Sequence, residues 1–122
     1  SIQVKRVLIN SYILKHTMGK DPSVYLELKI DDKIYKKTAV GDGQFDAFMN
    51  AVNEIYKDNN LKTPNLVNYL VTIPKGSNSD ALCETIITWR DTSCEFTTRG
   101  LDSDQTVSAI KATEKMLNII IN

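Results

Sequence analysis

The sequence predicts an α+β fold: two strand-strand-strand-helix units related by an internal pseudo-twofold, with antiparallel sheets and a helix packed on one face of each. Three observations carry that expectation. Apolar and polar residues alternate in two separate stretches, the signature of half-buried strands. Each stretch is followed by apolar residues at steps of three and four, the spacing of an amphipathic helix. Sliding the chain against itself so that Gly41 falls on Gly100 also brings Asp46 onto Gln105, with hairpin and helix in register.

The elements follow in order. Gln3 to Leu14 is rich in valine, isoleucine and tyrosine and reads as a strand, broken at Gly19 to Pro22. Val24, Leu26, Leu28 and Ile30 alternate with Tyr25, Glu27 and Lys29 as a second strand. Asp31-Asp32 turns the chain into a third, Ile34 to Val40, which Gly41-Asp42-Gly43 stops. Phe45, Phe48, Met49, Val52 and Ile55 mark a helix of about four turns that fades over Lys57 to Asn60. After Pro64, Val67, Tyr69, Val71 and Ile73 form a fourth strand ended by Pro74, and Lys75 to Ser79 is a loop. Leu82 to Trp89 and Cys94 to Thr98 form a hairpin across Arg90 to Ser93, with Gly100 as its stop. Ala109, Ile110, Ala112, Met116 and Leu117 then close the chain as a second helix. The first unit covers about residues 2–60 and the second about 64–121. Together they make one domain over 1–122, in which neither half folds alone.

Composition bounds the function. Fifteen Lys plus Arg balance fifteen Asp plus Glu, so no excess charge argues for nucleic acid or an anionic membrane as partner. No apolar run approaches the roughly 18 residues of a spanning helix. At 122 residues the chain is too short for a barrel enzyme of about 250. Two cysteines are too few for a secreted disulfide scaffold, and no signal segment opens the sequence, so a cytoplasmic location is expected. The start at Ser1 and the apolar Ile119-Ile120-Ile121 end suggest a segment of a longer chain.

Few residues can carry chemistry. His16 is the single histidine, which leaves histidine-cluster metal sites and most catalytic triads without their parts. Cys83 and Cys94 flank a hairpin turn at unequal positions, a poor geometry for a disulfide, and both read as small core residues. Gly41-Asp42-Gly43-Gln44-Phe45-Asp46 is more informative. It sets flexible backbone before a helix start, where a carboxylate can dock, and places the acceptor Asp46 in the first turn, where an ammonium can pair. The plain alternative is a turn followed by a helix cap.

The Gly41-to-Phe48 string, the Gly76-to-Leu82 stretch and Gly100-Leu101-Asp102-Ser103-Asp104-Gln105-Thr106 resemble the carboxy-terminal regulatory domain of α-isopropylmalate synthase and its relative citramalate synthase. The resemblance spans nearly the whole chain. It implies a homodimer attached to a catalytic barrel of the same parent chain, with leucine or isoleucine as the effector that inhibits condensation of acetyl-CoA with a 2-oxo acid. It implies an effector pocket drawing on Phe45, Asp46, Leu66, Tyr69, Ile73, Cys83 and Gln105, with no catalytic residue and no cofactor in this domain. The divalent metal of the parent's aldol-type chemistry would belong to the barrel. One departure from the isopropylmalate synthase pattern stands out: the string after Gly100 lacks a second glycine and puts Gln105 near the acid's place, closer to the citramalate synthase variant. Two other readings compete. A free-standing amino-acid sensor of the ferredoxin-like kind would follow a β-α-β-β-α-β order, against which the two hairpins preceding helices argue. A small cysteine enzyme would need an activated Cys83.

Overall fold

The structure is a computed structural model that describes residues 4–73 and 82–122. Alternation decides the two central strands. Val24, Leu26 and Leu28 in β2 (Ser23–Ile30), and Thr85, Ile87 and Trp89 in β5 (Cys83–Arg90), are buried beneath a helix, while the residues between them face away. β2 pairs antiparallel with β1 (Val7–Lys15) and β3 (Lys33–Val40), giving a sheet of order β1-β2-β3. β5 pairs likewise with β4 (Asn65–Thr72) and β6 (Glu95–Asp102), giving β4-β5-β6. Each sheet is followed by one helix, α1 (Gln44–Asp58) and α2 (Gln105–Ile120), which confirms the predicted α+β class. Contacts gather into two units. One runs through Thr63 and takes in Ile121–Asn122; the other is Pro64–Ile120.

In the first unit α1 packs on β2 and β3 and buries Ala47, Phe48, Ala51, Val52, Ile55 and Tyr56. Full burial of Phe48, Val52, Leu26 and Leu28 contributes about 1.5–3 kcal/mol each, so packing rather than capping holds this helix. The Tyr56 phenol lies in that apolar layer, where burial pushes its pKa up to about 12. The hairpin between β2 and β3 turns on two residues, with Asp31 at φ +52°. Its carboxylate accepts from Arg6 N at 3.0 Å and its own N–H donates to Arg6 O at 2.9 Å, pinning the tip.

In the second unit α2 packs on β5 and β6. The contact is close because its sheet-facing residues are small: Ser108, Ala109, Ala112 and Thr113 are all buried. A buried polar chain fixes the seat. Trp89 Nε1 donates to Thr98 Oγ1 at 2.9 Å, Thr98 Oγ1 donates to Ala112 O at 2.8 Å, and the Thr85 and Ser108 hydroxyls bond to one another.

Several sequence-based boundaries move. β1 begins at Val7 instead of Gln3, and β6 continues through Gly100 to Asp102. Gly100 is therefore not a stop. It lies where α2 crosses the strand, and a Cβ there would stand 1.8 Å from Ser108 O and 2.8 Å from Ala112 N. Gly41 does end its sheet, and it too is pressed against a helix, with a notional Cβ 2.4 Å from Ala47 N. The second hairpin tip has four residues, 91–94, against two in the first. This shifts the internal match: Gln105, the first residue of α2, corresponds to Gln44, the first of α1, and the counterpart of Asp46 is Val107. β1 and β4 each carry a register shift near their start, between Ile9 and Ser11 and between Leu66 and Asn68. The Lys75–Ser79 loop, the Pro74 strand end and the Gly76-to-Leu82 string up to Ala81 lie outside the described residues.

Candidate functional site

The start of α1 is built on glycine. Gly43 occupies the cap position in extended geometry, φ −132° and ψ 173°, and supplies no side-chain hydrogen bond; its carbonyl accepts from Ala47 N at 2.9 Å. Asp46, in the first turn, is exposed, and its Oδ2 lies 3.4 Å from where a Gly43 Cβ would stand, so the carboxylate folds back over the helix start. Asp46 has no side-chain partner among the described residues. Beside it Phe45 is half-buried and stacks on Phe48 at 6.1 Å with an interplanar angle of 20°, and Tyr12 meets Phe48 edge-on at 6.4 Å. A positive helix end, a carboxylate and an aromatic wall thus converge within one turn.

The start of α2 is built differently. Asp104 caps it with its own carboxylate, Oδ1 accepting from Val107 N at 3.0 Å. Asp102 Oδ2 accepts from Asp104 N at 2.8 Å, and Lys111 Nζ reaches Asp102 Oδ1 at 2.9 Å and Leu101 O at 3.2 Å. The Asp104 backbone N–H, then the Lys111 ammonium, hold the Asp102 carboxyl below its ordinary 3.8. This helix end already carries its anion. The sequence reading missed these residues, although an aspartate directly before an amphipathic run is a cap signal.

Of the seven residues implied by resemblance, Phe45 and Asp46 belong to the first unit and the other five to the second. Tyr69 pairs with Ile87 and so faces the α2 side of its sheet, as Cys83 does by parity with Thr85. The register shift after Leu66 sets that residue opposite Trp89 and brings it onto the same face. Ile73 follows the Thr72–Glu84 pair, next in register to Cys83, and is 66% exposed. Cys83 Sγ lies 4.0 Å from Ser103 O, and Gln105 is exposed at the adjoining helix start. Ile73, Cys83 and Gln105 therefore gather at one end of the sheet. Leu66 sits six residues of strand away from that end, about 20 Å, beyond the reach of a single amino-acid side chain.

Cys83 and Cys94 are both free. Cys83 pairs across with Asp102, whereas Cys94 lies in the hairpin tip, where its N–H donates to Asp91 Oδ1 at 2.8 Å. Among the described residues no three His, Cys, Asp or Glu side chains are placed to hold a metal ion, and no helix is long and apolar enough to cross a membrane.

A duplicated β-β-β-α unit, with one helix start left to glycine and the other closed by aspartate, defines a small α+β module of two related but unequal halves. The chain belongs to the LeuA allosteric (dimerisation) domain family, whose model matches residues 2–121. It is accordingly a regulatory, dimerising domain of LeuA-type synthases, associated with a catalytic domain and not an enzyme by itself.

Proposed function

We propose that this domain binds leucine or isoleucine and transmits feedback inhibition to a cytoplasmic 2-isopropylmalate or citramalate synthase, slowing condensation of acetyl-CoA with a 2-oxo acid. The observation that carries the reading is the start of α1. Gly43 offers no side chain to occupy the helix end, and Asp46 stands exposed beside it. The effector carboxylate lies at the helix end, its ammonium pairs with Asp46, and its apolar chain packs against Phe45. Leucine and isoleucine differ in the place of one methyl, worth about 1–3 kcal/mol in a fitted pocket.

Titration calorimetry with leucine, isoleucine and valine tests the proposal, alongside Asp46→Asn. Covering the ammonium–carboxylate pair on binding makes its loss cost about 2 kcal/mol, roughly 30-fold in affinity. The variant should melt within about 4 °C of the parent, because an exposed first-turn acid contributes only about 0.3–1 kcal/mol to the helix. Unchanged affinity in the folded variant would return Asp46 to a capping role. Absence of heat with all three amino acids would remove the effector assignment.

A further inference from the structure

At the far end of the first sheet from the hairpin tip, a seven-residue loop, 16–22, joins β1 to β2. It folds back through a turn in which Lys20 N donates to Thr17 O at 3.0 Å and Gly19 takes φ +80°. Its end is anchored, since Pro22 is buried and its carbonyl accepts from Gly41 N at 3.1 Å. Beneath this loop lies an open cavity of about 540 Å³ lined by Lys15, Thr17, Lys20, Asp21 and Ser23, with Val40 as its apolar edge. Lys15, Ser23 and Val40 stand in one cross-strand row, so the floor of the cavity is fixed by sheet register. On the neighbouring β3 strand two lysines are neutralised, Lys37 by Asp58 at 2.7 Å and Lys36 by Glu27 at 3.9 Å. Lys15 and Lys20 have no ion-pair partner among the described residues.

We propose that this cavity binds a small doubly charged anion, a phosphate or a dicarboxylate. Two ammonium groups supply the charge, and the Thr17 and Ser23 hydroxyls donate to its oxygens. Asp21 opposes binding from the same lining. None of these residues belongs to the candidate effector set, so the two sites are separable.

The test is an amide chemical-shift titration of the 122-residue chain with sodium phosphate and, separately, sodium succinate, against sodium chloride at matched ionic strength. Saturable shifts confined to residues 15–23 and 40–41 are expected with at least one of the two anions, and the anion that saturates identifies the source chemistry. Lys15→Gln and Lys20→Gln should each weaken binding at least about threefold, whereas Asp21→Asn should strengthen it. All three are exposed positions, and retained amide dispersion shows that the variants fold. Shifts that merely track ionic strength with both salts, or affinities indifferent to the sign of the charge removed, would overturn the site.

Discussion

Replacing Gly100 by alanine adds one methyl group at the tightest helix–strand crossing in the second unit. That Cβ would stand 1.8 Å from Ser108 O and 2.8 Å from Ala112 N, both backbone atoms that no rotamer change can move aside. Restoring an ordinary 3.4 Å contact requires α2 to lift by about 1.6 Å. Such a lift takes Ala112 O out of reach of Thr98 Oγ1, now at 2.8 Å, and separates the Thr85 and Ser108 hydroxyls. Two buried hydrogen bonds and part of the apolar contact under Ala109 and Met116 are lost together, about 3–5 kcal/mol in all. For a chain of this size the melting temperature should fall by about 10–20 °C, measured by circular dichroism at fixed protein concentration because dimerisation feeds into the midpoint. Gly43→Ala is the control, since its Cβ would meet only the mobile tip of Asp46 at 3.4 Å. If Gly100→Ala melted within about 2 °C of the parent, α2 could not be seated as described.

Two further outcomes bear on the same unit. Thr98→Val keeps the shape but leaves the Trp89 indole N–H without its acceptor, which should cost about 1–3 kcal/mol; Trp89 is the single tryptophan, so a lower denaturant midpoint followed by its fluorescence reports on this unit directly. Asp102 has its folded-state pKa depressed below 3.8, so its stabilising contribution is complete above the unfolded value and is lost as pH falls through the folded one. Melting temperature should therefore drop below about pH 4, and Asp102→Asn should flatten that acid limb while lowering the plateau at neutral pH; an unchanged acid limb would show that the contacts from Asp104 N and Lys111 do not persist in solution.

Much of the fold was legible because strand and helix periods are local properties of the chain. The Val24-Leu26-Leu28 alternation and the Phe48-Val52-Ile55 spacing each state a buried face, and the structure buries those residues. Gly100 misled for a physical reason. A glycine reads as a stop when its value is backbone freedom, but here the need is for the absence of a side chain beneath a helix, and only the tertiary crossing reveals that. The same misreading aligned Gly100 with Gly41 and Gln105 with Asp46, because two extra residues in the second hairpin tip are invisible to a match made on glycines. At the candidate site, the placement of Phe45 and Asp46 followed from the helix start alone. The spread from Leu66 to Cys83 did not, since distance along a strand pair depends on a register that pattern does not fix.

The exposure of β4 carries a practical consequence for handling this domain. β1, β3, β4 and β6 are all outer strands of their sheets. β1 carries Lys15, β3 carries Lys33, Lys36 and Lys37, and β6 carries Glu95, Arg99 and Asp102. Charges of this kind discourage one chain from adding itself to the rim of another. Asn65–Thr72 has none, nor any proline or glycine, and Leu66, Val67 and Leu70 stand exposed along it. Eight uncharged residues, with the strand-favouring Val67, Tyr69, Val71 and Thr72 among them, therefore form the rim on which aggregation in concentrated solution, or during refolding, would be seeded.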